Sequence, residues 1–134
     1  MELYKHAELT EAVINVFYHV YNTLGYGFLE KIYRNAMIVE LQKRGHQVQQ
    51  NVEIAIRYEG VVVGEYYADL IVDSLVLLEL KAAEKIAPEH EAQILNYLKA
   101  TNIEVGLILN FGPKPEIKRK VFDNERKSRP ARSK

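Results

Sequence analysis

Apolar residues first recur at helical spacing, then alternate, and finally run unbroken. Leu9, Val13, Val16, Phe17, Val20, Tyr21 and Leu24 form one face of a helix. Thr10 is the expected N-cap and Gly25 the stop. Past Tyr26-Gly27 a second helix is expected, with Leu29, Tyr33, Ala36 and Val39 or Leu41 inward and Gly45 at its end.

Val52, Ile54, Ile56 and Tyr58 then alternate with Glu53, Ala55 and Arg57, the pattern of a half-buried strand. Glu59-Gly60 signals a tight turn, and the return strand runs from Val61 to Val72, with a bulge or twist at Gly64. Val76 to Lys81 makes a third strand, which completes an antiparallel meander. Pro88 opens a helix that reaches about Thr101, with Ala92, Ile94, Leu95 and Leu98 inward. Val105 to Asn110 is apolar at nearly every position, as in a strand buried on both faces, and Phe111-Gly112-Pro113 closes it. Coming after a helix, this strand is expected to return parallel to the third one. Lys118 to Phe122 adds an edge strand, where cations discourage further pairing. The expectation is one mixed-sheet α/β (α+β) domain over residues 1–122, followed by a flexible basic tail over 123–134.

Composition narrows the class. The 134 residues suit one domain, and 48% hydrophobic content suffices for a core. The absence of cysteine excludes disulfides and thiolate metal sites and fits a reducing compartment. No run approaches the roughly 18 apolar residues of a membrane span. Met1 to His6 lacks the pattern of a secretory signal, so a cytoplasmic chain with no membrane partner is expected. The zero net charge conceals an asymmetry. Residues 1–113 carry nine Lys and Arg against fifteen Asp and Glu, whereas residues 114–134 carry nine against three. A basic terminus attracts phosphates without reading sequence, or simply stays solvated.

The candidate chemistry lies on the second and third strands. Glu79 and Lys81 share a strand face about 7 Å apart, within a run that otherwise looks buried. Asp69 joins them only if the register allows it. A two-residue loop at Asp73-Ser74 pairs Asp69 with Leu78 and sends the two acids to opposite faces. A three-residue loop over 73–75, or a one-residue bulge, pairs Asp69 with Glu79. Two readings remain open at this point. One is an ion pair of Lys81 with Asp69 or Glu79. The other is a pair of carboxylates that need a hard cation such as Mg²⁺ or Mn²⁺, which suits phosphodiester hydrolysis. Glu30 suits a first helical turn, with Tyr33 and Arg34 on neighbouring positions of its face. Gln93 and Tyr97 stack one turn apart. His46 and His90 are read as a surface residue and a helix-start residue, and as ligands of nothing.

These motifs together resemble the GxxExxY protein family of the PD-(D/E)XK nuclease superfamily. The residues concerned are Gly27-Phe28-Leu29-Glu30-Lys31-Ile32-Tyr33, Tyr67-Ala68-Asp69-Leu70, Glu79-Leu80-Lys81, Gln93 to Leu98 and Gly106 to Gly112. The resemblance implies a restriction-endonuclease-like αβββαβ core, here with an extra N-terminal helix and a C-terminal edge strand. It implies a metal-dependent nuclease acting on DNA or RNA, or a silent binding or assembly module on the same fold; 134 residues leave little surface for reading sequence, so no sequence preference is expected. It assigns Asp69, Glu79 and the Leu80 carbonyl to Mg²⁺ or Mn²⁺, with Glu30 reaching the ion through water. It makes Lys81 the catalytic lysine, and Gln93, Tyr97 and Tyr33 substrate-binding or supporting residues. Ala68 stands where the superfamily's name has proline. A homodimer would place two such sites on one substrate.

Overall fold

The unbroken apolar runs lie where both faces of a sheet are covered. The computed structural model describes residues 5–127. In chain order they form α1 (Ala7–Leu24), α2 (Glu30–Lys43), β1 (Val48–Tyr58), β2 (Val61–Val72), β3 (Val76–Lys81), α3 (Pro88–Lys99), β4 (Val105–Phe111), β5 (Pro115–Val121) and a short 3₁₀ turn, Asn124–Arg126. The strands make one sheet in the order β1-β2-β3-β4-β5. β3 and β4 run parallel, and every other neighbouring pair is antiparallel. This is the mixed α/β architecture the sequence predicts, with the crossover through α3 and the edge strand in place.

α1 and α2 cover one face. Val13, Val16, Phe17 and Val20 of α1, with Tyr33, Met37 and Leu41 of α2, pack on Leu70, Leu78, Leu107 and Leu109. α3 covers the other face, where Ile94, Tyr97 and Leu98 meet Ile71, Leu77 and Ile108. β3 and β4 are therefore buried on both sides, which explains why their sequences do not alternate.

Several local expectations change. α1 begins earlier than expected, with His6 at its N-cap. Thr10 lies inside the helix, where its hydroxyl donates to the Ala7 carbonyl at 3.0 Å. Leu29 and Val39 point outward, while Met37 takes the inward place on α2. Ala92 is exposed, because the burial stripe of α3 runs through Ile94, Tyr97 and Leu98. β5 starts at Pro115, three residues before the expected edge strand. The tail expected from residue 123 is held down as far as Lys127, whose Nζ donates to the carbonyls of Thr101 and Ile103, both at 2.8 Å. Its remaining residues lie outside the described ones. His46 is partly buried and structural: its Nδ1 lies 2.8 Å from Asp73 Oδ2, tying the link before β1 to the turn after β2.

Register is settled by turns in left-handed backbone. Glu59 and Gly60, with φ of 50° and 84°, close a two-residue hairpin between Tyr58 and Val61. Val63 is an extra residue beside Gly64, so the expected bulge is present. Asp73 and Ser74 also have positive φ, and the Leu75 amide donates to the Val72 carbonyl at 2.9 Å. Leu75 is then the additional residue, and Val72 pairs with Val76. This is the register that sets Asp69 across from Glu79.

The link from β3 to α3 is fixed from below by Asn110, which is fully buried. Its side chain accepts from the Ala83 amide at 2.9 Å and donates to the Ala83 carbonyl at 3.0 Å. Gly112 permits this close approach, since a Cβ there would stand 2.1 Å from the Ala83 oxygen. Gly112→Ala is expected to destabilise the fold by about 3 kcal/mol, a shift that urea unfolding would read directly.

Candidate active site

The sheet forks at the acids. The β2–β3 ladder runs from Val72–Val76 only to Leu70–Leu78. Beyond that rung β2 continues with β1, and β3 continues with β4. Asp69 and Glu79 are the first residues past the fork, and their side chains replace the missing ladder bonds. The Asp69 amide donates to Glu79 Oε2 at 3.1 Å, and the Leu80 amide donates to Asp69 Oδ2 at 2.8 Å.

The backbone is irregular there for a visible reason. Leu70 and Val72 face α1 and α2, whereas Ile71 and also Ala68 face α3. Strict alternation would put Ala68 and Leu70 on one face, so it slips at Asp69. Facing it on β1, Asn51 has a φ of 51°, and the register passes over the Asn51–Asp69 position. The slip turns the Asp69 amide toward Glu79. A residue's N–H and C=O lie on the same side of a strand, so the Leu80 carbonyl also faces the opening.

Burial makes this a high-energy place for two carboxylates. Glu79 is 5% exposed. Burial, and then the charge of Asp69, push its carboxyl up to about 8. Burial also raises Asp69, and the charge of Glu30 adds to this, while the Leu80 amide, Lys81 and Arg34 oppose it. Lys81 makes a direct ion pair with neither acid among the described residues. The purely structural pair that the sequence allowed is therefore not formed. Lys81 is half-buried and acts on both acids at longer range.

Two helices approach the fork. Glu30 is the first residue of α2 and is exposed. The loop before it is built by its neighbours in the motif. Gly27, at φ 118°, takes a conformation closed to other residues. Tyr33 is 0% exposed and stacks on Phe111 at 4.2 Å. Its hydroxyl donates to the Gly25 carbonyl at 2.6 Å and accepts from the Phe28 amide at 3.2 Å. Of the two roles expected for Tyr33, burial excludes substrate contact; what it supports is the turn that delivers Glu30. From the other side α3 brings Tyr97, whose phenol is pushed up to about 12 by burial and then by the charges of Glu79 and Asp69. Gln93 lies half-buried one turn earlier and bonds to neither acid. His90 caps its own helix, with Nδ1 accepting from the Ala87 amide at 3.0 Å.

A family model of the PD-(D/E)XK nuclease superfamily matches residues 7–120. The chain belongs to the PD-(D/E)XK nuclease superfamily. No curated protein and no solved structure matches it. Superfamily membership supports a nuclease-like function on nucleic acid and the use of divalent metal in general terms. In this superfamily member the donor set fits such an ion: two carboxylates and a carbonyl, all oxygen, with like charges that a cation would relieve. Among the described residues no cluster of three or more His, Cys, Asp or Glu side chains could hold one, so protein carbonyl and water would complete the shell. Among these residues, too, no helix is long and apolar enough to cross a membrane.

Two further residues bear on the site, one placed by the sequence without a role and one not singled out. Arg34 lies one turn after Glu30 and lowers Asp69, and its Nε is buried with no hydrogen-bond partner. The i+4 spacing from Glu30 was the available signal. Tyr66, whose ring lies 5.4 Å from that of Tyr97, gave no signal.

A carboxyl raised from 4.5 to about 8 on folding stabilises the protein below pH 4.5, and that stability is lost as pH rises through 8. Without divalent ions, thermal unfolding should therefore show stability falling across this window, by an amount on the order of 5 kcal/mol. Glu79→Gln keeps an acceptor for the Asp69 amide. It should flatten the fall.

Proposed function

We propose that this chain is a metal-dependent phosphodiester hydrolase acting on DNA or RNA through Asp69, Glu79 and Lys81. The observation that carries the reading is the pair of acids set past the fork, held by amides and not neutralised by Lys81. We further read the chain as a GxxExxY-type member, because Gly27, Glu30 and Tyr33 act together to form one turn that presents an acid.

Asp69, Glu79 and the Leu80 carbonyl would hold Mg²⁺ or Mn²⁺, with Glu30 reaching it through water. The ion supplies polarisation of a phosphoryl oxygen and acidification of a water. The chain does the remaining work. Lys81 is close enough to bias both acids yet is not consumed in a pair, so its ammonium is left to orient a water or offset charge on the phosphorane-like transition state. Tyr97 stays a neutral phenol and closes the α3 side of the site. Gln93, one turn earlier on the same helix, would contact substrate or support the site.

A second reading, a binding or assembly module without turnover, is favoured by one observation: only two of the acids are gathered closely among the described residues. The readings separate on incubation with single-stranded, duplex and branched DNA or RNA plus Mn²⁺ or Mg²⁺. Cleavage is expected with metal and not with chelator, and Glu79→Ala should lower its rate by at least about 100-fold. Binding without cleavage under every condition would favour the module.

A further inference from the structure

The surroundings of the acids are poor in cations and rich in exposed rings. Arg34 and Lys81 are the cations that act on the acids. Residues 1–113 as a whole are acidic, with fifteen carboxylates against nine Lys and Arg. The basic cluster of β5 lies on the far edge of the sheet, two strands beyond β3. Its charges are partly engaged there: Lys120 Nζ lies 2.6 Å from Glu91, and an Arg119 guanidinium nitrogen donates to the Lys5 carbonyl at 2.6 Å. Tight duplex binding rests on a row of phosphate contacts, whereas among the described residues the cations that act on the acids are Arg34 and Lys81.

Aromatic surface takes its place. Tyr66 is 40% exposed, and its ring leans on that of Tyr97, which in turn senses both acids. Phe28 is 48% exposed two residues before Glu30. Its position is fixed, since its amide is bonded to the Tyr33 hydroxyl and its ring meets that of Tyr33 edge-on at 6.1 Å. Leu29, next to it, is 70% exposed. Both rings are thus anchored on one side and open on the other, close to elements that carry the acids. The faces of paired bases are hidden in a duplex, whereas an unpaired strand offers them for stacking.

We propose that the site takes nucleic acid whose bases are unpaired, with bases stacking on Tyr66 at the α3 side and on Phe28 at the α2 side. This rests on the hydrolase reading for the placement of the scissile phosphate, but stacking itself needs no turnover. The occupant is a single strand or a frayed end. A second copy of the chain covering the same rings is the competing occupant, and the test includes it.

The measurement is fluorescence anisotropy with the full chain in chelator, on one labelled oligonucleotide offered single-stranded and as its blunt duplex. The single strand should bind at least tenfold more tightly. Tyr66→Ala and Phe28→Ala should each weaken that binding about 5- to 100-fold. Tyr66→Phe, which keeps the ring, should bind as the unmodified chain does. Circular dichroism and melting temperature of each variant show whether the fold survives, and Phe28→Ala with the comparison of single strand and duplex remains decisive if Tyr66→Ala unfolds. A blunt duplex bound as tightly as the single strand, unchanged binding by both alanine variants, or no saturable binding to either form would overturn the proposal. So would sedimentation as a dimer that Tyr66→Ala converts to monomer. Because no metal is present, selective single-strand binding without later cleavage would leave stacking standing and sink only the hydrolase reading.

Discussion

Two carboxylates stand in for backbone partners where β2 parts from β3. An open sheet edge inside a protein leaves amides that must be satisfied, and Asp69 and Glu79 satisfy them reciprocally. The arrangement holds both acids in place with few degrees of freedom. It also forces them close together out of water, which is why both resist ionisation. Bonds that keep the fork from unravelling thus create a demand for positive charge beside the two acids.

The rest of the molecule serves that fork. Tyr33, buried against Phe111, stitches the loop that leads into α2 and so sets where Glu30 begins. Asn110 is the neighbour of Lys81 in the parallel ladder, and it grips Ala83 by both backbone groups as the chain leaves β3. Glu116 on β5 continues this support by accepting from the Ile86 amide at 2.9 Å. These side chains come from three separate elements, α2, β4 and β5. A rigid frame of this kind suits a site whose acids must keep their spacing as their charge changes.

Stability and chemistry oppose each other here. A buried acid raised to about 8 weakens the fold as pH rises, and apolar residues in its place would pack at lower cost. The chain keeps the acids, and its hydrophobic burial on both faces of the sheet is large enough to carry them. Superfamily membership points to nucleic acid as what such a protein acts upon.

Much of this was written locally. Helical and alternating spacing defined the elements, and the unbroken runs marked the doubly covered strands, because burial on one or two faces leaves a direct trace in residue order. The Gly27–Tyr33 motif and the Glu79-Leu80-Lys81 triplet marked a candidate site, because charge in a buried run needs a partner and because together they resemble a nuclease family. What the order of residues did not determine was the meeting of Asp69 with Glu79. That depended on left-handed backbone at Asp73 and Ser74 and on one extra residue in the turn, and a shift of one position reverses every side chain. Nor did it determine the inward face of α2, the partner of Tyr33, or the absence of a Lys81 ion pair. Each of these is a distance between residues far apart in the chain, so each was decided only when the layers packed.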